Sequence, residues 1–285
     1  MKKAGILSMQ RIYNYGSFLQ AYALKKMMEE CGAEVEFVDY HPGECILPSK
    51  ETTGMKRKIQ KGLEILRMKG RLRDKIQFVK YKKNYARKNY PVLGLKETYN
   101  YAPKLDLLVI GSDEVFNCIQ DNSNVGFAPE LFGAGHQADR LVSYAASFGN
   151  TTLESLKKYQ VDEQVAQWLR AFDAISVRDD NSRKIVQELT GKDPVCHLDP
   201  VLVYDYPANL PETKAKIPQD PYMILYGYSG RFNKEEAGEI RKYAKRKGLK
   251  ILCIGGIQSC GDKFIDCSPF EIFEYFKHAE SVVTD

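Results

Sequence analysis

The opening forty residues constrain the fold more than any other stretch. Gly5 to Ser8 is a short run with the character of a buried strand, and Phe18, Ala21, Leu24, Met28 and Cys31 then recur at three- and four-residue steps. That spacing marks an amphipathic helix, which Gly32 closes. Val35 to Tyr40 returns to strand. A strand, a helix and a strand within that length form the unit of a parallel sheet with right-handed crossovers. The first loop, Met9 to Gly16, lacks G-x-G-x-x-G, which disfavours a conventional dinucleotide site.

The alternation continues. Leu107 to Ile110, Val142 to Ala145 and Ile175 to Val177 are strand candidates, a helix over about Asn181 to Leu189 ends at Gly191, and a sixth strand ends near Leu198. Pro207, Pro211, Pro218 and Pro221, with polar residues between them, form a linker. Strands at Met223–Tyr226, Leu249–Ile254 and Ser281–Thr284 then alternate with helices at Lys234–Arg246 and Glu271–Ala279. The expected organisation is a first domain over 1–206, a linker over 207–221 and a second domain over 222–285, which holds three strands and stops at a strand tip. A domain of that size leaves apolar sheet edge uncovered, so the expectation is a second domain that is incomplete.

One segment breaks the pattern. Between Lys50 and Tyr90 fifteen Lys/Arg stand against three acidic residues, a local excess of +12, so the remainder of a chain with net charge +5 carries −7. Ile59, Leu63 and Leu66, then Ile76, Val79 and Tyr81, mark apolar stripes between the cations, as in a helical hairpin inserted over about 50–99. Such a face is either a solvated cationic surface or a dock for anionic membrane lipid or a phosphorylated acceptor. Its aromatics, Phe78, Tyr81, Tyr85 and Tyr90, follow no RNP-like pattern, which argues against a nucleic-acid partner.

The seven cysteines include no C-x-x-C pair and the four histidines lack ligand spacing, so neither a structural zinc site nor a disulfide framework is expected, and the cysteines read as reduced packing residues. His197 reads as a partly buried, satisfied imidazole. Behind Met1-Lys2-Lys3 the apolar run Ala4 to Leu7 is too short for a signal-peptide core, and no run reaches the roughly 18 apolar residues of a spanning helix. A cytoplasmic protein is expected, peripheral at the inner face of the membrane if the 50–90 segment docks there.

Four stretches in order resemble the polysaccharide pyruvyl transferase family: Gly5-Ile6-Leu7 with Asn14-Tyr15-Gly16-Ser17-Phe18; Asp106 to Asn117, containing Gly111-Ser112-Asp113; Ile175-Ser176-Val177-Arg178-Asp179; and Leu198-Asp199-Pro200-Val201-Leu202. The resemblance implies an α/β protein of two Rossmann-like domains resembling the GT-B arrangement. It also implies transfer of the pyruvyl group of phosphoenolpyruvate, the donor substrate, to a glycan or lipid-linked sugar as a ketal, without metal or nicotinamide. The family pattern continues beyond a strand like Ser281 to Asp285 into a Ser-x-His-Gly loop, and activity of a chain stopping at Asp285 is then in question. Two rival readings stay open: a GT-B-like glycosyltransferase using a nucleotide sugar, and a non-catalytic glycan-binding or scaffold relative.

The catalytic candidates are Asp113 and Arg178. Arg178 directly follows a strand, where an open sheet meets its ligand, and guanidinium suits a bidentate grip on carboxylate or phosphate; a helix cap or a surface salt bridge is the alternative. Asp113 could orient or deprotonate an acceptor hydroxyl, or merely cap a helix. Substrate-binding candidates are Asn14, Tyr15 and Gly16 in the first strand-helix loop, Gly111, Ser112 and Asn117 in the second motif, Ser147 and Phe148 after a strand, and Gly255 and Gly256 in the second domain. Asn-Tyr-Gly is also good turn chemistry, Phe148 either stacks on a sugar or packs in the core, and Asp199 fixes a turn by capping nearby N–H groups.

Overall fold

The computed structural model describes residues 1–47 and 71–284. In chain order the elements are β1 (Lys2–Leu7), α1 (Tyr15–Glu30), β2 (Ala33–Phe37), α2 (Leu72–Leu93), β3 (Lys104–Leu105), β4 (Leu107–Asp113), β5 (Gln137–Ala138) and β6 (Leu141–Ala146). There follow α3 (Leu153–Lys158), α4 (Asp162–Arg170), β7 (Ser176–Val177), α5 (Asp180–Thr190), β8 (Val195–Cys196), α6 (Pro200–Val203) and α7 (Tyr206–Asn209). The last are β9 (Tyr222–Tyr226), α8 (Lys234–Lys247), β10 (Lys250–Ile254), β11 (Lys263–Phe264), α9 (Glu271–Lys277) and β12 (Ser281–Thr284). The chain is α/β throughout, with parallel sheets, as the strand-helix alternation predicts.

Two compact units emerge, one from residues 1–47 and 90–208, the other from 71–89 and 209–284. The first carries a six-stranded sheet in the order β2-β1-β4-β6-β7-β8, every neighbouring pair parallel, so all strands end on one edge. Its core is aromatic: Phe116, fully buried, stacks on Phe132 at 5.0 Å and meets Phe148 at 5.3 Å and Phe172 edge-on at 5.9 Å. The second carries the sheet β11-β10-β9-β12, also parallel. β9 is a continuous apolar run, Tyr-Met-Ile-Leu-Tyr, as a strand covered on both faces requires. α8 shows why its residues are helical: Asn233 accepts from the N–H of Glu235 and Glu236, Glu236 reaches back to the cap, Lys245 to Lys247 sit at the negative end of the dipole, and Gly248 turns left-handed to stop it.

The basic segment differs from its sequence reading. Ile59, Leu63 and Leu66 lie outside the described residues. Residues 71–89, expected as part of an insertion in the first domain, pack with 209–284, whereas 90–99 stay with the first unit. The cause is the aromatic stripe of 71–89: Phe78 and Tyr81 meet Phe264 of β11 at 5.4 and 5.6 Å, and the buried Asp74 carboxylate takes the Phe264 N–H at 3.2 Å. α7 straddles the start of the expected linker, and the short elements α3, α4, β3, β5 and β11 lack a sequence signal.

Cys118, Cys253, Cys260 and Cys267 are buried packing residues, whereas Cys31 and Cys196 are exposed. Burial pushes the Cys118 thiol far up, and the Cys253 thiol up to about 12. In native protein, iodoacetamide is therefore expected to label Cys31 and Cys196 readily and Cys118 and Cys253 only after denaturant is added, as read by peptide mass spectrometry. Native labelling of Cys118 would contradict this packing.

Candidate functional site

The candidate residues gather where the strands of the first unit end. Ser8 follows β1, Ser112 and Asp113 end β4, Ser147 follows β6, Arg178 follows β7, and Asp199 follows β8. This edge is where an open parallel sheet presents side chains to ligand.

Local backbone geometry opens the edge. Gly111 has φ +126°, and a Cβ there would collide with the Tyr144 carbonyl on the paired strand. Its glycine identity thus answers a neighbouring strand rather than a ligand. Asp113 and Ala145 are left-handed, at φ 76° and 48°, a conformation tolerated by Asp but costly for Ala. The Ala145 N–H, turned away, donates to Ser176 Oγ at 2.9 Å.

The centre is a network of two carboxylates around one guanidinium. Arg178 Nη1 donates to Asp199 Oδ2 at 2.6 Å, and Nη2 lies 3.7 Å from Asp113 Oδ1, an ion pair without a hydrogen bond. Ser17 Oγ donates to Asp113 Oδ2 at 2.7 Å, and the Glu114 N–H donates to Oδ1 at 2.9 Å. Ser112 Oγ adds a bond to Asp199 Oδ2 at 3.0 Å, and Asp199 Oδ1 caps α6 through the Val201 N–H at 3.0 Å. Below them Ser8 Oγ donates to the Ser112 carbonyl and receives Gln20 Nε2. Arg178, Asp113 and Asp199 are all partly exposed, at 26, 17 and 20% of their side chains, so the cluster is reachable from solvent.

Tyrosines and a histidine surround it. Burial and then the Asp113 charge raise the pKa of Tyr40, and burial and then Asp199 raise that of Tyr144, so both phenols stay protonated. His197 stacks on Tyr144 at 5.3 Å, its Nδ1 2.7 Å from Ser176 Oγ. It is exposed, not the partly buried imidazole its sequence position suggested.

Other expected residues have different roles. Asn14 is the N-cap of α1, its Oδ1 accepting the N–H groups of Gly16 at 2.6 Å and Ser17 at 3.3 Å, so the donors that could have met an anion are already used. Tyr15 is buried in the core. Phe148 is wholly buried beside Phe116, with no face for a sugar. Asn117 spends its side chain on Glu114, Ile119 and Thr151. Ser147 Oγ donates to Asp179 Oδ2 at 2.6 Å, and Asp179 caps α5. In the second unit Gly256 is required because the backbone at Tyr228 and Ser229 leaves no room for a Cβ, and Gly255 sits beside it at φ +84°. Sequence reasoning had Asp113 and Arg178 as catalytic candidates but missed Ser17, Tyr40, Tyr144 and the second role of Asp199. Asn14→Ala is expected to lower stability by about 1 kcal/mol, the value of a cap, seen as a lower denaturation midpoint with ligand affinity unchanged.

A separate cavity of about 400 Å³ in the same unit is lined by Leu7, Val38, Leu105 and Leu108, with His41 and Glu130 paired at 2.9 Å beside it. It is mostly apolar and contains neither Asp113 nor Arg178, so the strand-end cluster is the better candidate. Among the described residues no group of three or more His, Cys, Asp or Glu could hold a metal. No described helix is long and apolar enough to cross a membrane.

The sequence profile of one family, described as polysaccharide pyruvyl transferase, matches residues 14–285. No curated protein matches the chain. Among solved structures, the crystal structure of MurG from Acinetobacter baumannii is similar over all of this chain at 14% identity and a TM-score of 0.31; the chain covers 65% of that protein.

Proposed function

Because the chain belongs to the polysaccharide pyruvyl transferase family, we propose that it transfers the pyruvyl group of phosphoenolpyruvate to two hydroxyls of a saccharide, with the strand-end cluster holding the acceptor. One acceptor hydroxyl adds to C2 of the enol while a proton adds to C3, which becomes a methyl group. The second hydroxyl then displaces phosphate and gives up its proton, closing the ketal. One saccharide and one phosphoenolpyruvate thus yield one ketal and one phosphate.

The observation that carries this reading is the unequal pairing at the cluster: two carboxylates share one guanidinium. An excess negative charge with protonated tyrosines beside it repels a phosphate but suits hydroxyl donors and the positive charge that develops at C2. Asp113 takes the hydroxyl proton, and Arg178 stands opposite to hold it in place. Ser17 and Ser112 fix the two carboxylates, each by one hydroxyl bond. Arg178 therefore acts as a positioning residue here rather than as the grip on the donor expected from its place in the sequence.

The test is direct. Protein, phosphoenolpyruvate and a panel of oligosaccharides and lipid-linked sugars are assayed for phosphate release and for a pyruvyl ketal by mass spectrometry. Ketal formation supports the proposal. Glycosyl transfer from a nucleotide sugar with no ketal replaces it with a glycosyltransferase. A scaffold is the outcome if neither reaction occurs and calorimetry detects no phosphoenolpyruvate binding.

A further inference from the structure

α2 presents two opposed faces. Asp74, Phe78, Tyr81, Tyr85 and Asn89 are buried and form a complete helical stripe, and the first three of them meet Phe264 of the second unit. On the opposite side Leu72, Ile76 and Val79, at steps of four and three, are exposed by 68, 50 and 43%. Lys80, Lys83 and Arg87 are exposed around that apolar stripe. The helix carries seven Lys/Arg against the single buried Asp74, whose carboxylate is already bonded to the Phe264 N–H.

We propose that this outer face of α2 docks on an anionic lipid bilayer, the apolar stripe entering the headgroup-acyl boundary and the cations resting among the phosphates. Helices that lie in a membrane interface combine an apolar strip with flanking Lys and Arg, and long cationic side chains can bury their stems while keeping their charge at the phosphate level. The charge selects among possible occupants. A second copy of the chain would bring a like-charged helix against this one, which is repulsive. Nucleic acid would satisfy the cations but leave Leu72, Ile76 and Val79 without a partner. An anionic bilayer supplies both complements. The surface stands independently of the transfer reaction, so its failure and that of the transferase reading are separable.

Co-sedimentation with vesicles tests it, using phosphatidylcholine alone and phosphatidylcholine mixed with phosphatidylglycerol. The full chain is expected to bind only the mixed vesicles, and progressively less as salt rises. Changing Lys80, Lys83 and Arg87 together to Gln should weaken binding roughly 100-fold, at about fivefold for each cation near the surface. Changing Leu72, Ile76 and Val79 together to Ser should weaken it roughly 10- to 100-fold for the lost apolar burial. All six positions face outward, so far-UV circular dichroism should not change. Equal binding to both vesicle types, undiminished binding by either triple variant, competition by free glycerol phosphate as strong as by vesicles, or a lipid-free dimer that the serine variant dissociates would each overturn the proposal.

Discussion

Pyruvyl transfer by Asp113→Asn protein is expected to fall about 10²- to 10⁴-fold in kcat, the usual effect of losing a positioned general base. Asparagine keeps the shape: its Oδ1 can still accept the Glu114 N–H, and its amide NH2, in the place of Oδ2, can donate to the Ser17 hydroxyl oxygen, so the left-handed turn at φ 76° should persist. What disappears is the basicity toward an acceptor hydroxyl and the charge 3.7 Å from Arg178. The loss should appear in kcat rather than in the KM for phosphoenolpyruvate, because the donor's anionic groups are not assigned to this carboxylate. A Ser17→Ala protein, which loses only one bond to that carboxylate, should fall by a smaller factor. If Asp113→Asn turned over at the wild-type rate, the acceptor role of the cluster would be lost.

The largest effect on stability is expected from Phe116→Ala. Phe116 is fully buried and touches three other phenylalanine rings. Such truncations cost about 3–5 kcal/mol, from lost transfer energy and the cavity left behind. That is a large part of the 5–15 kcal/mol by which folded proteins are stable, so the first unit should unfold at much lower denaturant. With two compact units, two transitions are expected, and the substitution should move one of them. A shift shared equally by both transitions, or a change below about 1 kcal/mol, would contradict a core centred on this residue.

Much of the architecture was legible because long, apolar strands and helices with clear caps announce themselves. All six strands of the first sheet, and β9, β10 and β12 of the second, were placed within a few residues. The short pieces escaped: β3, β5 and β11 are two residues each and have no period, while α3 and α4, at six and nine residues, are too short to repeat one clearly. The site was half legible. Asp113 ends β4 and Arg178 directly follows β7, positions that sequence can mark. Ser17 and Asp113 are ninety-six residues apart, and no local pattern reveals their bond. Phe148 and Asn117 misled for the opposite reason: a ring or an amide near a strand end looks available to substrate until packing shows where it is used. The basic segment was legible in charge but not in attachment, since the aromatic stripe that fixes it meets Phe264 almost two hundred residues later.

Asp199 places one oxygen on the backbone of Val201 and the other on Arg178 and Ser112. The short helix that begins there is thus tied to the guanidinium through a single rigid carboxylate, like a link between a hinge and a latch. A shift of that helix by a fraction of a bond length must either drag Arg178 along or break its strongest contact. Whatever rearranges the chain just after residue 199 therefore also sets how firmly Asp113 is partnered.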